Sequence, residues 1–311
     1  MSNSYFNLID QTYYFPQEGF DLKNNSLTFH GVSLKHLIKK HGTPFRFIYL
    51  PKISDQIKKA RNLFNRAIKK NNYSGTYTYC YCTKCNHFSH VVAEALKNNV
   101  QLETSSAFDI ELILNLLNEK KLSKSITIIC NGYKTNDYLK KIVAIQKMGF
   151  SNIIVVLDST TELSRLSAIA KGEKIKVGIR MAINEEPQSS YYTSRLGIRE
   201  NEVLSFYESE IKKNKNVELK MLHFFVDSGI KDTLYYWGEF QKALQVYVDL
   251  KKLCKSLDSL NLGGGFPIRN NLRFEFDYDQ IANEIISGIK KVCTDNNIPD
   301  PNLYTEFGKY T

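Results

Sequence analysis

The chain has 311 residues, 42% hydrophobic and 24% charged, which are globular proportions that exclude a disordered chain and allow one large domain. Its net charge is +10, but the basic residues sit in scattered pairs such as Lys39-Lys40, Lys69-Lys70 and Lys251-Lys252. These read as solvated helix faces, and the longer basic tracts of a nucleic-acid binder are missing. No run approaches the ~18 apolar residues of a membrane span. Met1-Ser-Asn-Ser-Tyr-Phe-Asn-Leu lacks a basic stretch followed by an apolar one, so a cytoplasmic protein is expected.

In chain order, residues 1–44 stand apart. Leu27-Thr-Phe-His suggests a strand and Ser33-Leu-Lys-His-Leu-Ile a short helix. From residue 45 onward, strand-like and helical patterns alternate. Strands are expected near 45–49, 76–83, 101–104, 126–130, 152–157, 174–181, 218–225, 258–262 and 302–306. Helices are expected at Ile53–Lys69, His87–Lys97, Asp137–Met148, Thr161–Ala170 and Leu234–Leu253. Such alternation implies parallel strands joined by crossover helices, an α/β architecture. One strand is surplus to an eight-stranded barrel, and the first is the natural one to lead in from elsewhere.

Along that frame, Lys84 ends the run Gly75-Thr-Tyr-Thr-Tyr-Cys-Tyr-Cys-Thr, which is rich in strand formers. The mouth at the C-terminal end of barrel strands is where catalytic groups are mounted. A lysine there, in partly apolar surroundings, can lose its proton and form a Schiff base with an aldehyde cofactor. Taken alone it reads more readily as a strand-end lysine in solvent. Cys82 and Cys85 flank it with CxxC spacing. The chain's six cysteines supply no second such pair, so a metal site is not expected. Cys80 and Cys82 alternate, and so share one strand face.

Further on, Leu222-His-Phe-Phe-Val-Asp-Ser-Gly is a strand running into a loop. Phe225 could lie against a flat ring, and Ser228 and Gly229 could meet a phosphate, whereas His223 and Phe224 read as apolar-strand residues. Gly263, Gly264 and Gly265 leave backbone N–H groups unshielded, as a phosphate cradle or merely as a flexible turn. In Tyr304-Thr-Glu-Phe-Gly-Lys, Glu306 ends a strand and could hold a ring nitrogen protonated, and Lys309 could meet a phosphate as a point charge.

The order Lys84, Glu103-Thr-Ser-Ser, Cys130-Asn-Gly-Tyr-Lys, Arg180, Ser194-Arg-Leu-Gly, His223-Phe-Phe-Val-Asp-Ser, Gly263-Gly-Gly, Glu306-Phe-Gly-Lys resembles the alanine-racemase-type (fold type III) pyridoxal-phosphate decarboxylases. That group includes the ornithine, diaminopimelate and arginine decarboxylases. Leu102-Glu-Thr-Ser-Ser and Cys130-Asn-Gly-Tyr-Lys most resemble the biosynthetic arginine branch. The resemblance implies a TIM (β/α)8 barrel of the alanine racemase type over residues 45–311, with residues 1–44 belonging to a β-domain. It implies pyridoxal 5'-phosphate as cofactor and Lys84 as its covalent attachment. Glu306 matches the acid paired with the pyridine nitrogen, and Glu103 a carboxylate close to the lysine. Arg180 matches an arginine near the ring, and Ser228 and Gly263–Gly265 match phosphate contacts. The implied activity is decarboxylation of arginine to agmatine for polyamine synthesis, by a homodimer with no nucleic-acid or membrane partner. Ornithine or diaminopimelate decarboxylation, or a non-catalytic homologue or barrel fragment, are the alternatives.

Four departures stand out. Phe225 replaces a histidine that stacks on the ring, and Asp227 replaces a glycine. Lys309 replaces an arginine, so bidentate phosphate recognition is lost. The sequence stops at Thr311, where the family continues into a C-terminal β-domain carrying a catalytic cysteine, so that domain is expected to be missing.

Overall fold

The computed structural model describes residues 18–183, 196–226, 228–269 and 274–311. They fall into two compact units. One runs to Tyr49 and includes Ile268–Phe276; the other comprises Leu50–Pro267 and Asp277–Thr311.

In the first unit, β1 (Phe20–Lys23), β2 (Ser26–Phe29) and β3 (Val32–Ser33) form an antiparallel meander. The β1–β2 turn places Asn24 and Asn25 at φ 49° and 58°. Asparagine tolerates that left-handed conformation, and two such residues make the tight turn that matches strand twist. The Ser33 hydroxyl accepts the His36 N–H at 3.3 Å and so starts α1 (Leu34–His41). The expected strand and short helix are therefore present. Residues 45–49, expected as a strand, have no regular structure. A strand needs a neighbour for its backbone groups, and no described strand pairs with this one. Its rings pack instead, with Phe47 4.8 Å from Phe29 between centroids.

The second unit is a closed barrel. Its strands are β4 (Tyr77–Cys82), β5 (Gln101–Thr104), β6 (Ile128–Cys130), β7 (Ile153–Leu157), β8 (Ile175–Ala182), β10 (Val217–His223), β11 (Ser259–Asn261) and β12 (Asn302–Thr305). Each pairs in parallel with the next, and β12 returns to β4. A two-residue strand, β9 (Ile198–Arg199), adds to β8 outside this ring. The surrounding helices are α2 (Leu50–Lys70), α3 (Ser89–Leu96), α4 (Ala107–Asn118), α5 (Asn136–Lys147), α6 (Thr161–Ala170), α7 (Glu200–Phe206), α8 (Leu234–Leu253) and α9 (Tyr278–Asp295). Thr135, Thr233 and Asp277 cap α5, α8 and α9 by accepting a backbone N–H.

The apolar spacing explains the layers. α2 buries Ile53, Ile57, Ala60, Leu63, Phe64 and Ala67, one helical stripe, and turns its lysines outward. β7 is apolar at every position and buried throughout, as a strand covered on both faces must be. Side chains fill the barrel, with Cys80, Ile129, Ile154, Val156 and Met221 packed together beside Tyr304. Gly178 leaves them room, because a Cβ there would sit 3.2 Å from Val156 and 3.3 Å from Met221. Among the described residues no helix is long and apolar enough to cross a membrane.

Candidate active site

A cavity of about 770 Å³ opens at the C-terminal ends of the barrel strands. Lys84, Arg180, Phe225, Gly264, Glu306 and Lys309 line it together, although they come from five different strand ends. Strand alternation explains this convergence: one residue in two points inward, and the last inward position of each strand faces the mouth.

Lys84 lies on the single turn Thr83–Cys85 that follows β4. Its ammonium donates to Glu103 Oε1 at 3.0 Å and approaches Ser105 Oγ at 3.5 Å. Glu103, on the adjacent β5, is fully buried, and Ser105 donates to the same Oε1 at 2.7 Å. The expectation of an amine that readily loses its proton needs correction. Burial, the largest single influence, acts to lower the Lys84 ammonium, but the charges of Glu103, Cys82 and Glu306 and the hydrogen bond to Glu103 together outweigh it, and the balance lies above the ordinary lysine value. The side chain is also half exposed, so desolvation is incomplete.

Glu306 directly follows β12 and is buried. Asn131 Nδ2 donates to both of its carboxylate oxygens, at 3.0 and 2.9 Å, and Asn261 Nδ2 donates to Oε1 at 2.6 Å. His223 Nε2 lies 3.4 Å from Oε2. Burial alone would raise the Glu306 carboxyl. The charge and hydrogen bond of His223 reverse that and hold it down at about 2, so it is ionised at neutral pH. His223, expected as an ordinary apolar-strand residue, is thus part of the cavity wall, whereas Phe224 is buried in the core as expected.

Gly264 and Gly265 line the cavity through their backbone. A Cβ on Gly264 would fall 2.8 Å from the Glu306 carbonyl oxygen, and one on Gly265, at φ +88°, 2.6 Å from the Gly229 Cα. Only glycine fits at either place. Neither N–H donates to a described residue, so both are available to a bound anion. Gly263 is set back, with its N–H given to Asn261 Oδ1 at 2.8 Å. Ser228 is exposed and outside the cavity lining, and Asp227 and Ser194 lie outside the described residues. The Arg180 guanidinium sits 5.5 Å from the Phe225 ring centroid, a cation–π contact. Lys309 is exposed at the rim.

Several buried polar atoms in and beside this cavity have no hydrogen-bond partner among the described residues: Glu103 Oε2, Asn131 Oδ1 and His223 Nδ1. Buried polar atoms are normally paired, so orphans gathered at one cavity mark a site shaped for a bound polar group. A phosphate-bearing aldehyde with a ring nitrogen matches the donor set of one lysine, two bare glycine N–H groups, two further cations and a buried carboxylate.

The family model for the pyridoxal binding domain of pyridoxal-dependent decarboxylases matches residues 53–311. This chain belongs to the pyridoxal-dependent decarboxylases. Among its relatives, a biosynthetic arginine decarboxylase of Prochlorococcus marinus is 26% identical over 302 residues, 90% of this chain and 46% of that protein. That of a Geobacter species is 25% identical over 307 residues, 91% of this chain and 47% of that protein. Of solved structures, the Campylobacter jejuni biosynthetic arginine decarboxylase superposes with a TM-score of 0.73 at 23% identity, covering 94% of this chain and 51% of that one. The diaminopimelate decarboxylase of M. jannaschi gives 0.79 at 20% identity, covering 94% and 67%. These structures share the pyridoxal-dependent decarboxylase barrel. The chain spans about half the length of the arginine decarboxylases it matches.

Sequence reading passed over Asn131, Asn261 and His223, which the structure gathers around Glu306. A signal was present: each is a polar residue at the end of an otherwise apolar strand, as Lys84 and Glu306 are. Cys85 gains a property from the same site. The neighbouring Cys82 thiol, with help from Lys84 and Lys309, outweighs burial and lowers the Cys85 thiol to about 7. Thiolate is the reactive form, and it accumulates above that pH. Iodoacetamide should therefore label Cys85 with a midpoint near pH 7, read by peptide mapping across a pH series. Cys80, Cys82, Cys130, Cys254 and Cys293 are buried and should stay unlabelled. A Cys85 midpoint above pH 8.5 would show that its neighbours do not activate it.

Proposed function

We propose that this chain is the cofactor-binding barrel of an arginine decarboxylase, with Lys84 carrying pyridoxal phosphate. The observation that supports this best is the ionised, buried Glu306, fixed by three side chains in the cavity that Lys84 also lines. When bound, the cofactor supplies a protonated ring that draws in the electron pair left by the departing carboxylate. The protein residues do the rest. Glu306 keeps the proton on the ring nitrogen. Glu103, 3.0 Å from Nζ, is placed to take the Lys84 proton when the amine must be neutral and to return it afterwards. Gly264 and Gly265 present N–H groups to the phosphate, with Gly263 shaping the turn behind them. Lys309 adds a point charge from the rim. Phe225 offers a flat face to the ring, and Arg180 brings a second cation to it.

Arginine as substrate rests on the biosynthetic arginine decarboxylases among the relatives. Agmatine is then the product. Residues 1–44 are assigned to a β-domain, since their antiparallel meander leaves strand edges for further strands to pair with. A cytoplasmic homodimer is the proposed assembly. Phe88, Phe108 and Tyr133 support it, because they expose large apolar surfaces beyond β4, β5 and β6, Phe108 from the first turn of α4. Carbon dioxide release from arginine, ornithine, diaminopimelate and lysine tests the activity, with agmatine identified by mass spectrometry. Release from arginine should exceed the others. Release from another of the four but none from arginine would refute the assignment.

A further inference from the structure

Beside the cavity lies a buried cluster that its walls conceal. Asp158 follows β7, and its side chain is 2% exposed. Neither carboxylate oxygen has a hydrogen-bond partner among the described residues. Lys134, on the loop after β6, stands 3.9 Å from Oδ2, and Arg180 Nη1 stands 3.9 Å from Oδ1. Lys134 has nothing left to give. Its ammonium donates to the Gly132 carbonyl at 2.7 Å, to the Val156 carbonyl, and to Glu162 Oε2 at 3.2 Å. An ammonium has no further donor. Glu162 is an acceptor as well, taking the backbone N–H groups of Lys134 and Asp158 at 3.0 Å each, so it has no donor to offer Asp158.

Arg180 is different. None of its N–H groups hydrogen-bonds to a described residue, and Asp158 is its one ion-pair partner among them. A buried carboxylate without hydrogen bonds is costly, and a guanidinium fork is the group built to satisfy it. We infer that Asp158 is a positioning residue: it anchors Arg180 from behind, so that the guanidinium faces the cavity across Phe225. This rests on reading the cavity as the cofactor site. It adds a residue whose carboxylate never reaches the cavity and is separate from the local backbone frame. That frame is made by Asp158 N–H to Glu162 and by Gly197 N–H to the Asp158 carbonyl at 2.9 Å. A neutral side chain at 158 therefore removes the anchor and leaves the frame.

The test is modification of Arg180 by the arginine-selective reagent hydroxyphenylglyoxal, followed by peptide mapping of the full chain without added cofactor. In Asp158→Asn, Arg180 should react about tenfold faster than in wild type, because it loses the tether that holds it against the cavity wall. Arg61 and Arg66, distant on α2, should react at unchanged rates. Asp158→Ser serves the same purpose if the asparagine variant does not fold. An unchanged rate at Arg180, or equal acceleration at all three arginines, overturns the inference. A second arm uses pyridoxal phosphate affinity, read by visible absorption, in a cycle of Asp158→Glu and Arg180→Lys. The double variant should bind no more weakly than the weaker single variant; losses that simply multiply would show independent action and refute the link. Wild type that takes up no cofactor would refute the proposed function, while the modification result still decides the role of Asp158.

Discussion

Replacing Glu306 by glutamine is expected to leave the cofactor bound and to slow decarboxylation by about 10²–10³-fold, the scale of losing one preorganised charge contact to a transition state. The substitution is nearly isosteric, so cavity shape and the contacts of Lys84 are kept. What changes is charge. Glu306 is held ionised by His223, Asn131 and Asn261 in a fully buried setting. In such a setting a charge interacts more strongly than in water, and its loss is felt correspondingly. A neutral amide cannot keep a proton on the ring nitrogen, so the electron pair from the breaking bond has a poorer sink. Asn131 and Asn261 would also point N–H donors at an amide that can accept through one oxygen only. The measurement is single-turnover carbon dioxide release alongside the visible spectrum of the bound cofactor. Wild-type release from the glutamine variant would mean that Glu306 serves packing alone. Loss of the spectrum would mean that it serves binding.

The barrel was legible because its strands repeat one physical pattern: short β-branched or apolar runs, each followed by an amphipathic helix. α6 and α8 begin and end where the periodicity places them. The surplus strand at 45–49 was legible as a composition but not as a strand, since pairing is a property of neighbours and not of the segment. Lys84, Arg180, Phe225 and Glu306 were found through the order of motifs, and strand ends explain why that order converges on one cavity. The charge state of Lys84 was misjudged for a related reason. Glu103 is nineteen positions away in sequence and 3.0 Å away in space, and together with Cys82 and Glu306 it outweighs the effect of burial. The same holds for His223, whose apolar neighbours Leu222 and Phe224 disguise a side chain turned toward Glu306. Asp158 gave no sign at all. A lone aspartate after an apolar run reads as a turn, and only the spent donors of Lys134 single it out.

Lys84→Arg is expected to abolish covalent attachment of the cofactor and to lower decarboxylation on the order of 10³-fold, the scale of removing a group that handles protons at the reacting centre. Arginine is the informative substitution because it keeps what a merely structural lysine would provide. It retains the positive charge, the reach to Glu103 and the half-exposed position at the end of β4. It loses the ability to become a neutral amine, since a guanidinium stays protonated in proteins. Glu103 is then left with a partner from which it can take no proton. Borohydride treatment followed by peptide mapping separates the outcomes. In wild type, the label should fall on the peptide carrying Lys84 and the visible absorption should be lost on reduction. In Lys84→Arg no peptide should be labelled, while the melting temperature should change little, because the ion pair to Glu103 is preserved. A label on Lys134 or Lys309 in wild type would move the attachment site elsewhere. Lys134 is disfavoured beforehand, since it is fully buried with every donor committed. Lys309 is exposed at the rim, and no carboxylate among the described residues pairs with it to receive its proton. Lys84 has both the opening to the cavity and, in Glu103, an acceptor with one oxygen still unpaired.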